Sequence, residues 1–159
     1  MPEFKLTKHI DAPIEEVFEG FSDVPEAAER VQGIVKIELM TEGPVGKGTR
    51  WRETRILFKR EATEELEITA FEPPRRYRVE AESSGAHFIT EFRFSRDGDA
   101  ATSVEVEVII RAVTLSARLF APLARLMMGP MKRLLDQDME DLKAFLESRV
   151  PRAAGAHSS

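Results

Sequence analysis

The chain contains no cysteine, which excludes a disulfide framework, a thiolate metal site and a thiol nucleophile. Histidine is scarce too: His9, His87 and His157 stand in separate segments with no metal-ligand spacing between them, so neither a metal nor another cofactor is expected. Positive charge is in deficit, with a net charge of -5. Such a chain lacks the positive field that releases counterions from a phosphate backbone, and nucleic acid is not an expected partner. Long apolar runs are missing as well. The most apolar late stretch, Leu119 to Met131, holds Pro122, Arg125 and Pro130 and falls short of the roughly 20 residues that cross a bilayer, so no transmembrane segment is expected. The start, Met1-Pro2-Glu3-Phe4-Lys5, lacks the basic region and apolar run of a secretory signal, which makes the cytoplasm the expected location. No Gly-x-Ser-x-Gly elbow occurs. Gly43-Pro44-Val45-Gly46-Lys47-Gly48-Thr49 is no phosphate loop, because Gly48 separates Lys47 from Thr49 and a strand follows where a helix is needed.

What the chain does have is an ordinary globular balance, 42% hydrophobic and 32% charged, at a length suited to one core. Residues 1–150 are expected to form a single domain, and the small, polar residues 151–159 a flexible tail. Phe4, Leu6 and Ile10 share a period of two, which predicts a first strand. Asp11-Ala12-Pro13 then opens a short helix through Val17, Phe18 and Phe21, with Asp11 or Ala12 as N-cap. Asp23-Val24-Pro25-Glu26 opens a second, closed by Gly33. Six alternating runs follow, at Ile34 to Thr41, Gly48 to Phe58, Ala62 to Phe71, Arg76 to Ser83, His87 to Ser95 and Thr102 to Val113. They are separated by turn residues such as Glu72-Pro73-Pro74, Ser84-Gly85 and Asp97-Gly98-Asp99, the mark of consecutive antiparallel strands. After Thr114, a candidate N-cap, apolar residues recur at Leu115, Leu119, Leu123, Leu126, Met127, Met131, Leu134, Leu135, Leu142, Phe145 and Leu146, a helical stripe that Pro122 and Pro130 must kink or delay.

A sheet with one apolar face needs a cover, and the last helix is the only long amphipathic element available. The inward sets by phase are Val35, Ile37 and Leu39; Leu66, Ile68 and Ala70; Tyr77, Val79 and Ala81; Phe88, Thr90, Phe92 and Phe94; and Val104, Val106, Val108 and Ile110. The strand Gly48 to Phe58 has no clean apolar phase. Trp51, Glu53, Arg55 and Leu57 share one face, and Arg52, Thr54, Ile56 and Phe58 the other. Burying the only tryptophan favours the first face as the inner one, although a bulge can swap the phase mid-strand. Glu53 and Arg55 then point inward, where they must pair or meet water, and a polar group inside an apolar hollow is how a ligand site is built. A solvated edge strand is the alternative.

Several stretches carry a resemblance: Ile10-Asp11-Ala12-Pro13-Ile14-Glu15-Glu16-Val17-Phe18, Gly46-Lys47-Gly48-Thr49-Arg50-Trp51, Phe71-Glu72-Pro73-Pro74-Arg75-Arg76-Tyr77, and the helix ending Leu142-Lys143-Ala144-Phe145-Leu146-Glu147. With the element order they resemble the START-like superfamily that includes the Bet v 1 allergens and the polyketide cyclase/dehydrase-like (SRPBCC) proteins, over residues 3 to 148. The resemblance implies an α+β helix-grip fold, a seven-stranded antiparallel sheet with two short helices wrapped around a long C-terminal helix. It also implies a cavity between sheet and helix, opening near the short helices and the loop Gly43 to Gly48. It transfers no catalytic residue, because the matched positions are structural and the fold hosts many functions.

The expected function is therefore binding or carriage of a hydrophobic small molecule, a lipid, polyketide or aromatic, by a monomer or homodimer. The expected ligand-binding residues are Trp51, Glu53, Arg55, Tyr77, Phe88, Phe92, Phe94, Leu123, Met127 and Met131. The alternative is a polyketide cyclase or dehydratase in which a buried Glu53 of raised pKa acts as general acid or base. His9 and His87 read as solvent-facing. Arg118, Arg125, Lys132 and Arg133 read as a solvated helix face with Asp136, Asp138, Glu140 and Asp141 just downstream, in preference to a membrane-binding one. A protein-binding role would need a large apolar patch on the outer sheet face, which its Glu, Lys and Arg residues oppose.

Overall fold

The computed structural model describes residues 3–83, 85–119, 121–126 and 128–149, without the side chains of Ala121, Leu123 and Ala124. The chain runs β1 (Glu3–Ile10), α1 (Ile14–Ser22), a single 3-10 turn (Val24–Glu26), α2 (Ala27–Arg30), β2 (Ile34–Leu39), β3 (Arg50–Leu57), β4 (Arg60–Glu72), β5 (Arg76–Ser83), β6 (Ala86–Arg96), β7 (Thr102–Ala112), α3 (Leu115–Leu119), α4 (Ala121–Leu126) and α5 (Met128–Arg149). All neighbouring strands are antiparallel, in the order β1-β7-β6-β5-β4-β3-β2. This is the α+β helix-grip fold expected from the pattern. Among the described residues no helix is long and apolar enough to cross a membrane.

Local chemistry accounts for most boundaries. Helix α1 starts at Ile14 with Pro13 in the N-cap position, extended at ψ 151, so neither Asp11 nor Ala12 is the cap. Asp23 does not cap with its side chain either; its carboxylate pairs with Arg30 at 3.0 Å and ties the 3-10 turn to α2. Thr114 does cap: its hydroxyl accepts the Ala117 N–H at 3.1 Å. Pro122 and Pro130 fall in the first turns of α4 and α5, where the missing N–H costs nothing, and the predicted long helix is cut into three pieces accordingly. Its 22-residue last piece is about 33 Å long.

Period-two alternation buries Tyr77, Val79 and Ala81 from β5 and Val104, Val106, Val108 and Ile110 from β7. The expected phase fails in two places, both at bulges. In β2 the register shifts between Ile34 and Lys36, so Ile34 is buried and Val35 is turned out to 49% exposure. Leu39 stands opposite Trp51 but remains 48% exposed, because β2 is the sheet edge. In β4 the shift lies between Ile68 and Ala70. Ala70 then faces the outer side opposite Arg78, and Phe71 turns inward to meet Phe18 edge-on at 5.3 Å.

The helical stripe is also only partly a core stripe. Leu115, Leu119 and Leu126 are 72–75% exposed, while the buried contacts come from α5 through Met131, Leu135, Met139, Leu142, Phe145 and Leu146. Met139, absent from the predicted stripe, is 1% exposed. Helix α5 is pinned to β1 by Lys8, which bridges Asp136 at 2.7 Å and Glu140 at 2.5 Å, and by Lys143, which donates to the His9 carbonyl at 2.6 Å. It reaches α1 because Gly20 carries no side chain: a Cβ there would lie 2.5 Å from Leu146 Cδ2.

Candidate ligand-binding site

Between the inner sheet face and α5 lies a cavity of about 640 Å³. Its walls come from α1 and α2 (Phe21, Ala27), the sheet (Trp51, Leu66, Val79, Phe88, Thr90, Phe92, Val108) and α5 (Met131, Leu134, Leu135, Leu142). The volume matches sites that enclose most of a drug-sized molecule. Half-exposed Phe58 also lines it, so the hollow reaches the surface at the β3–β4 hairpin. Residues 43–48 do not line it, and Val45 instead packs against the core.

One closed end is aromatic. Tyr77 stacks on Phe92 at 4.5 Å, and Phe18, Phe21 and Phe94 meet edge-on behind them at 5.1 and 5.5 Å. Phe94 is 5% exposed within this cluster and is not part of the cavity wall. The Tyr77 hydroxyl donates to the Phe21 carbonyl at 3.1 Å; burial, with Glu53 nearby, pushes the phenol far above its ordinary pKa and keeps it neutral.

The other end is ionic. Trp51, Glu53, Arg55 and Leu57 all face inward from β3 and line the cavity. The Trp51 indole donates to Glu53 Oε1 at 3.2 Å, Arg55 Nε to Glu53 Oε2 at 3.0 Å, and Arg55 Nη2 to Asp138 Oδ2 at 2.9 Å. Arg55 is thus a strut from β3 to α5. Burial opposes its charge, but Asp138 and Glu53 outweigh that and raise its pKa. Glu64, opposite Glu53 on β4, also lines the cavity. Burial pushes the Glu64 carboxyl up, reinforced by Glu53 and partly offset by the Ser83 hydroxyl and Arg55. Burial likewise pushes Asp138 up, more than Arg55 pulls it back.

Of the residues expected from sequence, Trp51, Glu53, Arg55, Tyr77, Phe88, Phe92 and Met131 converge on this cavity. Phe94 does not, and Met127 and the Leu123 side chain lie outside the described residues. Glu64 and Asp138 were not anticipated. Asp138 was read with the solvated acids of α5, yet it stands four residues from Leu134 and Leu142, in the apolar stripe. Glu64 precedes Leu66 and Ile68 in the same inward phase. The histidines within the described residues stay outside: His9 is exposed, and His87 pairs with Glu80 at 2.7 Å, away from the cavity. His157 lies outside the described residues. Among the described residues no cluster suits a metal ion.

A curved antiparallel sheet closed over a helix, with an apolar hollow between them, defines the helix-grip class. The chain belongs to the family described as polyketide cyclase / dehydrase and lipid transport, whose model matches residues 1–147. No curated protein matches the sequence significantly. Among solved structures it is similar to the Zhui aromatase/cyclase from Streptomyces sp. R1128 (TM-score 0.79, 20% identity, 96% of this chain and 97% of that one). It is also similar to a START superfamily protein from Mycobacterium smegmatis (0.74, 10%, 93% and 99%) and to Ara h 8.0201 (0.74, 16%, 93% and 99%). At these identities the likeness establishes the shared fold.

Proposed function

We propose that this protein binds and carries a hydrophobic small molecule, a lipid, polyketide or aromatic, inside the cavity between sheet and α5. The observation that carries the reading is the cavity itself: about 640 Å³, with an apolar and aromatic wall and its charged groups gathered at one end. That is the arrangement of a site where apolar burial supplies affinity and a few polar groups fix orientation. The family's description, which includes lipid transport, supports it. Titration with Nile red, a neutral apolar dye, tests it. The expected result is saturable one-to-one binding with blue-shifted emission, abolished by Thr90→Trp, which fills the cavity from β6, while the far-ultraviolet circular dichroism is unchanged. Absence of binding by the native protein, or undiminished binding by the filled variant, would overturn the reading.

A second reading is favoured by the two carboxyl groups that burial pushes up, Glu64 and Asp138. In a cyclase or dehydratase such groups supply general acid or base catalysis near neutral pH, with Glu53 and Arg55 orienting them. Turnover of a poly-β-keto substrate that falls in Glu64→Gln or Asp138→Asn supports this. Turnover unaffected by these changes and by Glu53→Gln eliminates it.

A further inference from the structure

The ionic end of the cavity is unbalanced. Three carboxylates, Glu53, Glu64 and Asp138, face one guanidinium, Arg55, and every other described lining residue is uncharged. The donors at this end are aimed mainly at protein acceptors. The Trp51 indole N–H goes to Glu53, the Arg55 Nε and Nη2 go to Glu53 and Asp138, and Nη1 leans on Asp138 at 3.5 Å. At the aromatic end the Tyr77 hydroxyl is spent on the Phe21 carbonyl. What the three carboxyl groups chiefly offer a ligand is acceptor capacity. Each carboxylate offers about four lone-pair sites, and Arg55 fills only a few of them. A carboxylate or phosphate head placed here would face three carboxyl groups and a single guanidinium already engaged by two of them, inside walls too apolar to screen the repulsion.

We infer that the cavity selects an amphiphile whose head is a hydrogen-bond donor, a protonated amine foremost, and rejects acid-headed lipids. An ammonium has three donors and no acceptor, the complement of what the cavity presents. It would also neutralise the charge excess that Arg55 leaves. A hydroxyl head can donate one bond and stands between the two. The inference rests on the carrier reading and specifies its ligand.

Nile red displacement by dodecylamine, dodecanol and dodecanoate, each below its micellar concentration, tests it, since the three share one tail and differ in head alone. Dodecylamine is expected to displace the dye at about one-tenth the concentration of dodecanoate or less, a difference of about 1.4 kcal/mol, with dodecanol between them. In Glu64→Gln, which leaves the Arg55 bridges in place, the gap should narrow through weaker displacement by dodecylamine. Dodecanoate displacing as well as dodecylamine, or a gap that persists unchanged in Glu64→Gln and in Asp138→Asn, overturns the inference and leaves the carrier reading standing. Failure of Nile red to bind at all removes both.

Discussion

Replacing Arg55 with methionine should destabilise the protein strongly at neutral pH and weakly in acid. The guanidinium makes two short charge-assisted bonds, to Glu53 at 3.0 Å and Asp138 at 2.9 Å, of a kind worth about 1.5–3 kcal/mol each. Removing one partner of a fully buried ion pair costs about 3–5 kcal/mol, because the other charges stay behind unpaired. Here the side chains keep 15–18% exposure, and the water this admits reduces the expected loss to about 2–4 kcal/mol. With a urea slope of about 2 kcal/mol per molar, the unfolding midpoint should fall by about 1–2 M. Burial already raises the Asp138 carboxyl, and without Arg55 to pull it back Asp138 holds its proton still more tightly folded than unfolded. The penalty from Asp138 is then fully present above its folded pKa and disappears as pH falls through it. Urea melts at about pH 7 and about pH 4.5, bracketing the titration of buried carboxyls, read this directly. A loss below about 1 kcal/mol at neutral pH, or an equal loss at both pH values, would refute the reasoning. Adding Asp138→Leu should recover part of the neutral-pH loss, since the buried charge is removed with its partner.

Glu64→Gln should raise the neutral-pH melting temperature. The folded state lifts this carboxyl's pKa, so ionising it costs stability above that pKa, and the variant's advantage should fade as acid protonates the native side chain. Met139→Ala, at a site 1% exposed, should cost about 2–5 kcal/mol in urea unfolding; a cost near zero would mean α5 does not pack as described. Phe58 and Lys59 form a two-residue hairpin with φ of 50 and 69, a conformation that asparagine and glycine adopt far more readily. Phe58→Asn with Lys59→Gly should therefore add roughly 1 kcal/mol and raise the Tm by a few degrees. Gly20→Ala and Leu146→Ala should be non-additive by about 1 kcal/mol or more, because the new methyl enters the space the leucine vacates.

Much of this architecture is legible in the sequence because period-two burial leaves a plain trace: β5 and β7 alternate without a break. The inner face of β3 is legible for an energetic reason, since burying Trp51 in a strand that runs without a bulge, as β3 does against β4, also turns Glu53 and Arg55 inward. The bulges at Val35 and Thr69 leave no trace, as neither residue is one that a bulge requires, and each inverts the phase beyond it. The Phe58-Lys59 turn is hidden because its residues are not turn formers; its geometry is imposed by the pairing of Leu57 with Arg60. Asp138 and Glu64 were visible in phase but masked by acidic neighbours, and phase is the better guide when a carboxylate lies among leucines.

The pairing of β1 with β7, Glu3 against Ile109, has a consequence for biosynthesis. A chain emerging amino end first displays β1 as an unpaired strand until nearly all the sheet has been made, and β6, once made, offers an open edge until β7 joins it. Both edges can recruit neighbouring chains during translation. Closure must bring the two ends of the sheet-forming sequence together, a long-range contact of the kind that slows folding. Only then can α5 settle across β1 and seal the hollow, so the cavity is among the last parts of the molecule to exist.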